Sequence, residues 1–399
     1  MRLFFGLMFA FLINAKLLFA LPYVVLVSFD GFRWDYLDRG LSPNLTNFAS
    51  NGVRAISLKP SFPSVTFPNH YSIITGMYPE NHNIIGNHII NRYSGDVFTL
   101  RDTNAVTDPW WYLGEAIWET ARRQGLKTAS FFWPGSELKL EWRHPDIFMK
   151  YDSKIPYRTR VDSVVSWLSL PFEKRPRFVT IYFEETDNRG HAFGPNSPQV
   201  DTAIMVCDQV FGYLLQKLSE LPIKDSIDII VVSDHGMTDV KSDRIINISS
   251  LLNVKDVTIN SAGYLAFVNG NPDSVEKAYK ILKRSEKNFK VYKRSEVPAY
   301  FHFSNNPFIG DLVVIPEFEW TLSTSNEDYV HKVKGNHGYD NYWMDMHGIF
   351  LAGGPSFKKG YRVGTIQNVD IYPLICKILN IVPRGNTDGK LEGIEYILK

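Results

Sequence analysis

Only two cysteines, Cys207 and Cys376, occur in the 399 residues, which excludes a disulfide framework. Both fall in apolar helical patterns, where an inert buried thiol is expected and a single bridge between them is the alternative. An excess of charge is also lacking: 43 Lys and Arg stand against 42 Asp and Glu, a formal net charge of +1. That balance excludes global steering toward nucleic acid or an anionic membrane, so no sequence-specific nucleic-acid binding is expected and any phosphate recognition has to be local. Nor is there an apolar run long enough to span a bilayer. The longest candidate, residues 3–13, is well short of the ~20 residues required. Low-complexity tracts and internal repeats are absent.

What is present begins with a leader-like segment. Arg2 precedes the apolar stretch, Lys16 interrupts it, and small residues at Ala15 and Ala20 offer cleavage points. Residues 1–20 therefore read as a signal peptide and the product as secreted, periplasmic or extracellular, with an uncleaved anchor as the alternative. Residues 21–399 read as one catalytic domain carrying an inserted lobe at about 240–335. Two sequons, at Asn44 and Asn247, matter only where secreted proteins are glycosylated.

Three short runs have the β-branched and aromatic composition of buried parallel strands: residues 23–29, 177–183 and 228–233. Each ends at or just before an acidic residue, namely Asp30, then Glu184 and Asp187, then Asp234. In open α/β sheets ligands bind outside the carboxyl ends of the strands, so this edge is the expected site. Helices are expected from Pro43 to about Gly52, with Ser42 as N-cap, and from about 201 to 218. Within the lobe, strands are expected at 263–268, 290–292 and 311–315, and an amphipathic helix at 272–284. The fold resumes at His337 with a strand at 348–352 and a helix at 370–379.

The strand ends collect metal-ligand chemistry. Asp187 is followed four residues later by His191, Asp234 and His235 are adjacent, Asp30 closes the first strand, and His337 sits in a glycine-flanked loop. Imidazole nitrogen combined with carboxylate oxygen suits zinc, whereas magnesium favours oxygen alone. Taken singly each has an ordinary reading: Asp-Gly after a strand is commonly a turn, and Asp-His-Gly can cap a helix. Three strand ends carrying suitable ligands together make coincidence a poor account. Thr66 adds a hydroxyl where a helical pattern begins, with Gly76 as its stop. Free N–H groups at such a terminus favour an anion, and metal coordination can turn the hydroxyl into a nucleophile.

The runs Phe29-Asp30-Gly31, Pro63 to His70, Gly86-Asn87, Phe132 to Gly135, Asp187 to His191, Ser233 to Met237 and Asn336 to Asn341 resemble, in order, those of the ectonucleotide pyrophosphatase/phosphodiesterase (type I phosphodiesterase) family of the alkaline phosphatase superfamily. The resemblance implies an α/β fold: an alkaline-phosphatase-like sandwich with a central, mostly parallel sheet flanked by helices and a small inserted α+β lobe. It implies two Zn²⁺, one on Asp30, Thr66, Asp234 and His235, the other on Asp187, His191 and His337. Thr66 is the implied nucleophile, passing through a phospho-threonine ester. Asn87 and the Phe67 backbone N–H are implied to hold the non-bridging phosphate oxygens. The sulfatase Cys-x-Pro-x-Arg or Ser-x-Pro-x-Arg signature is missing at the nucleophile. A neutral Asn, where alkaline phosphatases clamp phosphate with Arg, favours a diester.

In nucleotide-using members the base lies between aromatics, and the matching residues are Phe67 and Tyr151, with Trp133 and Tyr182 lining the same pocket. The implied activity is hydrolysis of phosphodiester and pyrophosphate bonds of nucleotides and derivatives, releasing nucleoside 5′-monophosphates. The alternatives are a phospholipid or choline-ester phosphodiesterase and a non-catalytic nucleotide-binding protein. The nuclease-like C-terminal domain and cysteine-rich N-terminal modules of larger members have no counterpart in the sequence.

Overall fold

A computed structural model describes residues 22–325 and 333–399, so the leader expected at 1–20 lies outside the described residues. The main sheet takes eight strands: β1 (Tyr23–Phe29), β2 (Val53–Ala55), β3 (Thr128–Phe131), β4 (Ile147–Met149), β5 (Phe178–Phe183), β6 (Ile227–Val232), β7 (Phe350–Gly353) and β8 (Tyr361–Val363). Their order is β8-β2-β7-β6-β1-β5-β3-β4. Only β7 runs antiparallel to its neighbours, as expected for a mostly parallel sheet. β1 is central, pairing in parallel with β5 and with β6.

Every residue of β1 is buried, because both faces of the sheet are covered. Val24 and Leu26 face a core shared with Ile73, Ile74, Leu374 and Ile375. Val25, Val27 and Phe29 face a second core with Leu45, Val164, Ile204 and Phe211. The first set of partners comes from α2 (Thr66–Thr75) and α7 (Ile371–Ile378). The second comes from α1 (Pro43–Asn51), α3 (Tyr157–Leu168) and α5 (Pro198–Ser219). Cys376 packs in the first core and Cys207 in the second. The sheet therefore separates them, and both are free, which removes the single-bridge alternative.

Local chemistry sets the helix ends. α5 starts three residues earlier than its apolar periodicity suggests, because Ser197 accepts from the Val200 N–H and Pro198 takes the first position. Ser42 caps α1 in position only; its side chain makes no capping bond. The Asn44 amide donates to Asp208 Oδ2 at 2.8 Å, so that sequon nitrogen is engaged in tying α1 to α5.

Between β6 and β7 the chain builds a second, antiparallel sheet in the order Val257–Ser261, Ala266–Gly270, Leu312–Pro316, Phe289–Lys293. The helix α6 (Pro272–Arg284) covers it and matches its expected bounds. This unit has its own apolar core, including Val268, Leu282, Val291 and Val314. Its first two strands are joined by a turn that holds Gly263 at φ +87°, which pushes the strand expected at 263–268 toward 266–270. A further hairpin, His88–Ile90 with Val97–Thr99, lies beyond α2.

α4 (Glu185–Phe193) follows β5 directly. Gly31, at φ +64°, lies so close to α4 that an added Cβ would come within 2.9 Å of Asp187 Cα. Only glycine allows β1 and α4 to approach this closely.

His82 pins α2 to the turn after it. Its Nδ1 accepts from the Ile84 N–H at 3.2 Å, and its Nε2 lies 2.9 Å from Ser72 Oγ and 3.2 Å from the Pro68 carbonyl. Burial pushes its pKa down to about 3. The folded state therefore binds fewer protons than an unfolded chain with histidine near 6.5, and stability is lost as pH falls from about 6.5 toward 3. Metal-free protein compared by urea unfolding at pH 7 and pH 5 should lose about 2 kcal/mol more in the wild type than in His82→Gln. Equal losses would show that His82 is not held neutral.

Candidate metal and phosphate site

Six side chains from separate segments converge at the carboxyl edge of the sheet. Asp30 follows β1, Asp187 and His191 lie on α4, Asp234 and His235 follow β6, and His337 follows the short strand Gly335–Asn336. His235 Nε2 is 3.1 Å from Asp234 Oδ2, 3.4 Å from Asp30 Oδ1 and 3.3 Å from Thr66 Oγ1. Asp187 Oδ1 is 3.4 Å from His191 Nε2 and 3.5 Å from His337 Nε2. The two expected ligand sets are thus each brought together. They adjoin, since the His235 and His337 rings stack with centroids 3.6 Å apart.

The tautomers follow from the backbone. Nδ1 of His191, His235 and His337 faces the carbonyls of Gly335, Gly236 and Ser64 at 2.9, 2.8 and 2.9 Å. A carbonyl only accepts, so each Nδ1 carries the proton and each Nε2 presents a lone pair to the cluster. His191 Nε2 and His337 Nε2 then stand 3.1 Å apart, lone pair toward lone pair. Asp30 Oδ1, Asp187 Oδ1 and Asp234 Oδ2 are buried and, among the described residues, have no hydrogen-bond partner. These are the oxygens nearest the imidazole nitrogens. Three orphaned carboxylate oxygens and three lone-pair nitrogens around one spot are a donor set that fits divalent cations.

The electrostatics agree. Burial pushes the Asp30 carboxyl well above the usual carboxylate range, and Asp234 and Asp187 push it further. Burial also raises Asp234, but His235 and His70 outweigh it and hold this carboxyl low. Burial drives His337 well down, with His235 and His191 adding to the effect. The remaining oxygens of two carboxylates are fixed: Tyr182 Oη donates to Asp30 Oδ2 at 2.6 Å, and the Gly31 N–H donates to Asp234 Oδ1 at 3.3 Å.

Thr66 is the first residue of α2, whose N-cap, Val65, offers no side-chain cap. The hydroxyl faces the cluster from the helix N-terminus, where Pro68 has no N–H to offer and the dipole rather than a row of free donors favours an anion. Asn87 differs from expectation in one respect. Its Oδ1 accepts from the Phe67 N–H at 3.0 Å, so that donor is committed to Asn87. The bond turns the Asn87 NH₂ outward as the donor left for an anion.

A cavity of about 290 Å³ opens beside Thr66, Asp30 and Asp187, walled by Phe67, Phe132, Trp133, Tyr151 and Tyr182. Trp133 is mostly core, its indole N–H donating to the His70 carbonyl at 3.0 Å. Tyr151 is 53% exposed at the mouth. Its backbone N–H is held by Glu137 Oε1 at 2.8 Å, and its ring lies 5.0 Å from that of Phe132.

Sequence reasoning left His70 without a role. It is fully buried, 3.3 Å from Asp234 Oδ2 and 3.0 Å from the Thr66 carbonyl through Nδ1, while Nε2 meets Ser28 Oγ at 2.8 Å. Its Nδ1–H donates to the Thr66 carbonyl, which fixes the ring beside Asp234. The signal was available: four residues along a helix from Thr66 puts His70 on the same face.

An open, mostly parallel α/β sheet with paired carboxylate–imidazole clusters beside a helix-borne hydroxyl defines the alkaline phosphatase superfamily. Within it, the chain belongs to the type I phosphodiesterase / nucleotide pyrophosphatase family, whose sequence pattern matches residues 24–340. It is 36% identical over 384 residues to an uncharacterized pyrophosphatase/phosphodiesterase of Schizosaccharomyces pombe, covering 93% of this chain and 79% of that protein. It is 35% identical over 386 residues to a venom phosphodiesterase of Naja atra, covering 94% of this chain and 46% of that one. The chain thus spans about half the length of the venom enzyme. Among solved structures, murine ectonucleotide pyrophosphatase/phosphodiesterase 5, an inactive variant in complex with AMP, superposes with a TM-score of 0.89 at 30% identity, covering 95% of this chain and all of that one.

A cation bound only by the folded state stabilises it by mass action. Chelator-treated protein should therefore gain ~5 °C or more in Tm when zinc is added, and Asp234→Asn should gain much less. A melting curve indifferent to millimolar zinc would remove metal binding at this cluster.

Proposed function

We propose that the protein is an exported zinc enzyme that hydrolyses phosphodiester and pyrophosphate bonds of nucleotides and releases nucleoside 5′-monophosphates. The observation that carries this reading is the Thr66 hydroxyl, 3.3 Å from His235 Nε2, at the junction of the orphaned carboxylates and an aromatic cavity of about 290 Å³. A nucleoside fits such a cavity by stacking, and a phosphoryl group then lies over the N-terminus of α2. The AMP complex of the murine relative supports a nucleotide as ligand. The apolar segment at 3–13 supports export.

Asp30, Asp234, His235 and Thr66 would hold one zinc ion, and Asp187, His191 and His337 the other. The chemistry supplied by bound zinc is positive charge, which lowers the pKa of the Thr66 hydroxyl and offsets charge at the phosphoryl oxygens. Thr66 Oγ1 forms a bond to phosphorus as its O–H bond breaks and the proton passes to solvent, and the bond to the leaving oxygen breaks in line, its electron pair departing with the leaving group. Water then hydrolyses the threonine ester, freeing the 5′-monophosphate and restoring the hydroxyl. The Asn87 NH₂ donates to a non-bridging oxygen, a neutral contact suited to the single charge of a diester. The Tyr182 hydroxyl holds Asp30 in place, the Gly31 N–H holds Asp234, and the His70 ring packs beside Asp234.

Thr66→Ala should abolish turnover of p-nitrophenyl thymidine 5′-monophosphate without lowering the zinc-dependent rise in Tm by more than a few degrees, and Thr66→Ser should keep part of the activity. A nucleotidyl adduct trapped on any other residue would overturn the assignment. If Phe67 and Tyr151 hold the base, Tyr151→Ala should raise KM for the same substrate roughly ten-fold, while bis-p-nitrophenyl phosphate is affected far less. Equal losses on both would make Tyr151 structural.

A further inference from the structure

Phe132, on the wall of the aromatic cavity, follows β3 with its backbone at φ +65°, in the left-handed region. A bulky residue stays there only where its surroundings over-determine it. The guanidinium of Arg160, a residue of α3, lies 5.0 Å from the centre of the Phe132 ring and 4.7 Å from that of Tyr157. On another side the Phe132 ring supports Tyr151 at the cavity mouth. A strained wall residue thus stands between an exposed aromatic and a buried cation.

Arg160 is fully buried and does not line the cavity itself. It donates to both oxygens of Glu184, at 2.7 and 2.9 Å, and to the Tyr182 carbonyl at 2.8 Å. Its Nε–H donates to the Ile155 carbonyl at 3.1 Å, in the segment that leads from Tyr151 into α3. Tyr182 and Glu184 are both cavity walls. One planar fork therefore joins the segments that carry Phe132, Tyr151 and Tyr182, a task beyond the single ammonium of a lysine. The pair settles charge as well. Glu184 lines the cavity together with Asp30 and Asp187, and an unpaired carboxylate at that spot would oppose an anionic ligand. The two-bonded guanidinium cancels it.

We propose that Arg160 is a positioning residue for the ligand of this cavity. Through Glu184, the Tyr182 carbonyl and the Phe132 ring it fixes the spacing and tilt of the aromatic walls, without touching the ligand. The proposal rests on the nucleotide reading of the cavity given above. Glu184 is also the N-cap residue of α4, which carries Asp187 and His191. A disturbance that reached the metal cluster through α4 would slow every substrate, whereas one confined to the walls is felt only by a substrate that carries a base.

The test compares p-nitrophenyl thymidine 5′-monophosphate, which carries a nucleoside, with bis-p-nitrophenyl phosphate, which carries none, on zinc-loaded protein. Arg160→Lys keeps the charge and gives up the fork. It should raise KM for the thymidine substrate roughly five-fold or more, with kcat within about two-fold of wild type. For bis-p-nitrophenyl phosphate kcat/KM should stay within about two-fold, and the zinc-dependent rise in Tm should be kept. Should Arg160→Lys fail to fold, the double variant Arg160→Met/Glu184→Leu replaces the buried pair with apolar groups of similar bulk and should show the same split. A folded variant with wild-type KM, or one that slows both substrates alike, would overturn the positioning role. Tyr151→Ala is the control. If it raises KM for the thymidine substrate while the Arg160 variants do not, the positioning role falls and the nucleotide reading stands. If neither raises it, that reading falls and the proposal falls with it.

Discussion

Everything at the sheet edge depends on keeping two buried carboxylates and a third, partly buried one side by side. Asp30 and Asp234 are each about 1% exposed, and Asp187 reaches the same spot from α4. An ionised carboxylate buried without a partner costs several kcal/mol. That cost is why Asp30 is pushed toward its neutral form in the bare protein. Two responses are visible in the surroundings. Hydrogen bonds anchor one oxygen of Asp30 and one of Asp234, and the other oxygens are turned toward imidazole nitrogens whose protons are held elsewhere. The arrangement is costly as bare protein and becomes favourable with cations. A structure that tolerates it has been shaped around them.

The supporting framework is unusually tight for this reason. Gly31 lets the chain after β1 lie against α4, and Gly335 performs the same service from the far side. An added Cβ at Gly335 would come within 2.4 Å of the Gly190 carbonyl oxygen. Backbone thus presses on backbone around α4, leaving Asp187 and His191 little room to shift. Ser233 Oγ accepts from the Phe32 N–H at 2.9 Å and donates to the His235 carbonyl at 2.7 Å, locking the loops after β1 and β6 together. Rigid contacts of this kind give a ligand set its geometry before any ligand arrives.

Much of this was legible in the sequence because it is carried by strong local patterns. β1 is a seven-residue apolar run, α6 is bounded by Asn271-Pro272 and a basic last turn, and the acidic residues stand where strands stop. What escaped belongs to other physical scales. β2, β3, β4 and β8 have three or four residues each, too few for any periodicity to show. Whether Cys207 and Cys376 could meet depended on which face of the sheet each helix covers, a tertiary fact. The commitment of the Phe67 N–H to Asn87, and the bond from Tyr182 to Asp30, join residues 20 and 152 positions apart in the chain. Spacing arguments do not reach such pairs.

The ligand set runs from Asp30 to His337, and His337 comes only after the whole lobe has been spelled out. While the chain emerges from a ribosome, the first six contributors can gather, but the cluster stays open until about five sixths of the polypeptide is available. The lobe, with a core of its own, has time to fold before that last imidazole docks. Completion of the candidate cluster thus waits for His337, and a product ending before it would lack one of the seven residues gathered there and keep an electrostatically frustrated sheet edge.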